Sequence, residues 1–118
     1  MKIRIAIVDD EIGKREFIQD ILQRSGFKEV RSADCFSPQK FNINDKFDIV
    51  ILDYDMSPSG PEVAEQIRAK NPGTVLVGCG SWTEEATKKY LNYCANPMCI
   101  RDTIDEALLV LKENKRKK

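Results

Sequence analysis

Asp48-Ile49-Val50-Ile51-Leu52-Asp53-Tyr54-Asp55 is the stretch whose reading decides the fold. Four consecutive apolar residues, three of them β-branched, have the length of a strand and lack the alternation of a half-solvated one. Such a run reads as a strand, 48–52, buried on both faces, as inside a parallel sheet. It stops abruptly on carboxylates, so whatever lies beyond its carboxyl end is acidic.

Working outward, the same period recurs. Upstream, Ile3 to Val8 reads as a strand, with Arg4 reaching solvent at its start. Ile12 to Arg24 reads as a helix with Phe17, Ile18, Ile21 and Leu22 at helical spacing, ended by Ser25-Gly26. Glu29 to Ala33 is a short strand, and Ser37-Pro38 caps a weak helix through about Asn42. Downstream, Gly60-Pro61 opens a helix to Lys70, stopped by Asn71-Pro72-Gly73. Thr74 to Cys79 is a strand, Thr83 starts a helix through about Leu91, and 92–95 is a brief strand ended by Asn96-Pro97. Asp102 or Thr103 caps a last helix with Ile104, Ala107, Leu108 and Leu111 on one face. Strands alternating with helices imply a five-stranded parallel sheet with right-handed crossovers and helices on both faces, in one domain spanning 1–118.

Composition agrees with one domain of 118 residues. Lys+Arg and Asp+Glu balance at 19 each, so no global field favours nucleic acid or a membrane surface. The basic tail from Lys112 to Lys118 reads as a solvated helix end. No apolar run approaches a membrane span, and the short run before Asp9-Asp10 does not suit a signal peptide. With no histidine and no C-x-x-C pair among Cys35, Cys79, Cys94 and Cys99, the expectation is a cytoplasmic protein with reduced thiols and no structural zinc.

In open parallel sheets, ligands bind beyond the carboxyl ends of the strands. The first strand ends in Asp9-Asp10-Glu11 and the third in Asp53-Tyr54-Asp55. If these strands are neighbours, four or five carboxylates converge on one rim, where like charges repel and raise pKa values. A hard divalent cation with oxygen ligands, such as Mg²⁺, is the natural counter-charge. A carboxylate is also a nucleophile toward phosphorus, and Asp53, directly after the buried run, is best placed for that. The competing reading makes these aspartates helix caps and turn residues.

On Ile7-Val8-Asp9-Asp10-Glu11, Asp48 to Met56 with a following Pro and Gly, and Tyr93 with Asn96-Pro97, nearly the whole chain resembles the receiver domain of bacterial response regulators. The resemblance implies a CheY-like, flavodoxin-like fold. It also implies that Asp53 accepts phosphate from a sensor histidine kinase or phosphotransfer protein, and that Asp9, Asp10 and Asp53 hold Mg²⁺. The position of Asp55 would offer a backbone carbonyl to the metal, and Tyr93 would be the aromatic ring that changes rotamer on activation. A downstream protein target is implied as partner; a homodimer is left open.

The sequence departs from that pattern at the phosphoryl-binding positions. Cys79 stands where the family ends its fourth strand with Ser or Thr, and a thiol is a weak donor. Ser81 is a substitute if the chain bends at Gly78 or Gly80. Asn96 stands in place of a Lys and supplies no charge. The stretch between Cys79 and Asn96 is short, so a shortened fourth helix is expected. Trp82 is either a partner anchor or a cover for its own loop. Two other functions compete: a receiver-like module that binds partners without being phosphorylated, and a phosphatase. In the latter, Asp53-Tyr54-Asp55 would be similar to the Asp-x-Asp signature of haloacid-dehalogenase-type enzymes.

Overall fold

The computed structural model describes residues 2–35, 46–95 and 100–116, with 94–95 and 114–116 as backbone only. In chain order the elements are β1 (Arg4–Val8), α1 (Ile12–Arg24), β2 (Glu29–Ala33), β3 (Ile49–Asp53), α2 (Gly60–Lys70), β4 (Val75–Cys79), α3 (Glu84–Tyr90), β5 (Tyr93–Ala95) and α4 (Ile100–Arg116). The five strands form one sheet, ordered β2-β1-β3-β4-β5, and every pairing is parallel. The expected flavodoxin-like architecture is present. The weak helix read over 37–42 lies outside the described residues.

Burial explains the order. Every residue of β3 and of β4 is buried, as interior strands require, while edge strand β2 buries only Val30 and Ala33. The period of two divides the core into layers. Ile5, Ile7, Ile49, Ile51, Val75 and Val77 pack against Ile18 and Leu22 of α1 and Ile100, Ile104, Ala107 and Leu111 of α4. Ala6, Val8, Val50, Leu52 and Leu76 face Val63, Ala64 and Ile67 of α2, with Tyr90 and Leu91 at the end of α3. Each fully buried Ile or Leu contributes about 1.5–3 kcal/mol.

Boundaries shift where packing outranks local signals. α4 begins at Ile100, ahead of the Asp102 or Thr103 start read from the sequence, because fully buried Ile100 extends the apolar stripe by one turn. β3 runs one residue further than its apolar run, since Asp53 still pairs with Cys79. Arg4 begins β1 half-buried, its guanidinium on Glu29 (3.2 Å) and 4.8 Å from the Phe47 ring centroid. α3, the helix expected to be short, has seven residues and buries none of them. Thr83 caps it by accepting from Ala86 N (3.1 Å), as Ser59 caps α2 from Glu62 N (3.4 Å). Among the described residues no helix is long and apolar enough to cross a membrane.

Candidate functional site

Strand register builds the acidic rim. Val8 pairs with Leu52, so Asp9 leaves β1 beside Asp53 at the end of β3, and Asp53 pairs with Cys79 at the end of β4. The carboxylates of Asp9, Asp10 and Asp53 each offer an oxygen within 4.8 Å of the others. Asp9 and Asp53 are buried and Asp10 is exposed. Oxygen-only donors converging like this suit a hard divalent cation. Asp9 also does turn work: its Oδ1 accepts from Glu11 N (2.9 Å) ahead of α1, whose N-cap Glu11 makes no side-chain cap bond of its own.

The sequence reading missed one member of the site. Lys14, in the first turn of α1, places Nζ 3.0 Å from Asp9 Oδ2 and 3.3 Å from Asp53 Oδ1, with its side chain only 17% exposed. The signal was present in the sequence. A helix N-terminus favours acidic side chains, so a lysine in that turn is electrostatically misplaced unless nearby carboxylates compensate. Asp53 Oδ1 also accepts from Tyr54 N (2.9 Å). Burial and the charge of Asp9 push the Asp53 carboxyl above its usual range, and Lys14 pulls against that rise. Burial opposes the charge on Lys14, but Asp9 and then Asp53 outweigh it and raise the ammonium above its ordinary value.

Cys79 is buried beside Asp53. The chain does bend at Gly80, where φ is +107°, and Ser81 beyond the bend is exposed. Asp55 is exposed and its carboxylate lies outside the group of three. Tyr93 is half-buried on edge strand β5, packed against the α1/α4 layer. Asn96 lies outside the described residues, as do Cys99 and the side chain of Cys94. Trp82 is buried and covers its own loop: Nε1 donates to Leu52 O (3.0 Å), and the ring meets Tyr54 edge-on at 5.2 Å. Glycines at 60 and 78 make room for it. A Cβ would stand 2.7 Å from the indole at the first and 2.9 Å at the second.

The sequence matches the response regulator receiver domain family over residues 5–109. No curated protein sequence matches it. Among solved structures, the chain is similar to the chemotaxis protein CheY4 of Vibrio cholerae, with 20% identity and a TM-score of 0.76 over 91% of this chain and 99% of that one. It is also similar to the response regulator TrrA of Thermotoga maritima, solved in complex with Mg²⁺-BeF, with 23% identity and a TM-score of 0.74 over 89% and 98%. NtrX of Brucella abortus gives a TM-score of 0.82 at 21% identity, over 98% of this chain but 29% of that protein. At these identities the structures establish the fold, and the family match covers most of the chain. The chain belongs to the response regulator receiver domain family of two-component signalling.

Proposed function

We propose that this domain accepts a phosphoryl group on Asp53 with Mg²⁺ at the acidic rim, and signals by protein–protein contact. One observation carries the reading: three carboxylates converge at the strand ends, and among the described residues the ammonium in ion-pair contact with two of them, Asp9 and Asp53, is that of Lys14. One ammonium against three carboxylates leaves an excess of negative charge at the rim, which a divalent cation would offset. Asp9, Asp10 and Asp53 are the residues to hold Mg²⁺, which when bound offsets charge on an incoming phosphoryl group.

In the transfer, a carboxylate oxygen of Asp53 forms the new O–P bond. With a phosphohistidine donor the P–N bond breaks, its electron pair stays on the imidazole, and that nitrogen takes a proton from solvent. Lys14 and the Tyr54 amide, both donating to Oδ1, hold the carboxylate in place for attack. A histidine kinase or phosphotransfer protein as donor, a downstream protein target, a cytoplasmic setting and a single domain over 1–118 complete the reading. The β4–α3 loop is the favoured route outward, because Trp82 ties it to Leu52, the residue before the phosphoacceptor.

Incubation with acetyl phosphate and Mg²⁺ tests this. Intact-mass analysis should show one added phosphoryl group, absent in Asp53→Asn. A wild-type chain that stays unmodified would favour the module that binds partners without phosphorylation. The thiol at buried Cys79 and the exposure of Ser81 motivate that second reading. A phosphatase using Asp55 as general acid/base gains no support from an exposed side chain outside the carboxylate group.

A further inference from the structure

From the placement of Lys14 we infer that its ammonium, carried on α1, is the cation that pairs with the phosphoryl group on Asp53. The inference rests on the phosphoacceptor reading and assigns that site a residue beyond its carboxylates. Among the described residues, Lys14 is the cation in ion-pair contact with Asp53. The neighbouring Arg15 is committed elsewhere, donating from its guanidinium to Asp9 O at 2.6 Å.

Room for the ammonium is built into the backbone. A Cβ at position 80 would stand 3.2 Å from Lys14 Nζ and 2.6 Å from Asp53 Oδ1, so the bare glycine after β4 leaves the cradle open. Phosphorylation replaces one carboxylate charge with an acyl phosphate carrying nearly two, together with new acceptor oxygens. A lysine is suited to follow that charge outward. It is a point charge on a four-carbon stem, needing no fixed fork geometry. At rest the same ammonium occupies Asp9 Oδ2 at 3.0 Å, so it also competes with a divalent cation for that oxygen.

These two roles pull in opposite directions, which makes the test specific. Lys14→Met keeps the length of the stem and removes the charge. Acetyl phosphate is the donor: the new bond joins Asp53 to phosphorus, and acetate leaves with the electron pair. At saturating Mg²⁺ the phosphorylation rate of Lys14→Met should fall about tenfold or more, and Lys14→Arg should recover part of it. Mg²⁺ affinity, followed by Trp82 fluorescence or calorimetry, should be equal or tighter in Lys14→Met. A purely structural lysine would instead weaken both when removed. Wild-type phosphorylation with an unchanged rate in Lys14→Met overturns the role of Lys14 and leaves Asp53 as acceptor. A variant in which metal affinity and rate fall together overturns it as well. A wild type that accepts no phosphoryl group overturns both readings.

Discussion

Gly80→Ala is the perturbation that most directly interrogates the geometry of the rim. Its backbone φ of +107° is one that a side chain adopts at a cost of about 1–2 kcal/mol. Its new Cβ would lie 2.6 Å from Asp53 Oδ1, closer than real Cβ atoms approach any neighbour. The carboxylate must move, loosening its bonds from Tyr54 N (2.9 Å) and Lys14 Nζ (3.3 Å). Weakening those bonds costs about 1–3 kcal/mol more. Gly26→Ala is the internal control. Gly26, at the end of α1, has φ +99° but nothing within 4 Å of its Cβ position, so it carries the backbone cost alone. At about 4 °C per kcal/mol for a domain of this size, Gly26→Ala should lower Tm by about 4–8 °C and Gly80→Ala by roughly twice that. Gly73→Ala, with no positive φ and open space around it, should leave Tm unchanged. Thermal unfolding by circular dichroism reads all three. A Gly80→Ala variant no less stable than Gly26→Ala would refute the close approach to Asp53.

Asp53→Asn should stabilise the fold by roughly 0.5–2 kcal/mol at neutral pH, the usual gain from relieving a strained functional site. Because the folded-state carboxyl is raised, its destabilisation is fully present above that pKa and fades as pH falls through it. The difference in Tm between variant and wild type should therefore shrink on acidification; a difference that grows would contradict the burial of an ionised Asp53. Trp82→Phe removes the bond to Leu52 O and part of the ring, at a cost of about 1–3 kcal/mol in urea unfolding; no change in midpoint would mean that the indole does not hold the loop. Asn92→Ala strips the Oδ1 that accepts from Leu76 N (2.9 Å) and from the Arg68 guanidinium, so faster amide exchange at Leu76 is expected, and unaltered protection would argue against that tie. Ile104→Ala, at a fully buried position of α4, should cost about 2–5 kcal/mol in urea unfolding, and an unshifted midpoint would contradict its place in the core.

The layers of the fold were legible because burial writes itself into period and run length. The unbroken Ile49–Leu52 run announced an interior strand, and Ile104, Ala107 and Leu111 announced a helix face. The convergence of Asp9 with Asp53 was legible at one remove, since an acidic strand end becomes a pocket only if the two strands are adjacent. Trp82 shows the limit of local reading. Loop anchor and partner anchor have the same sequence signature, and the bond to Leu52 O across 30 residues separates them.

By itself, the sequence determined the strand–helix alternation, the buried interior strand and the acidic strand ends, because hydrophobic periodicity and turn chemistry are local properties of the chain. Only the tertiary structure decided which carboxylates meet, that Asp55 stays out of the group, and that Lys14 reaches Asp9 and Asp53 from α1. Those outcomes depend on strand order, register and the angle at which a helix leaves the sheet. Such long-range quantities are set by how whole faces pack, and no window of sequence contains them.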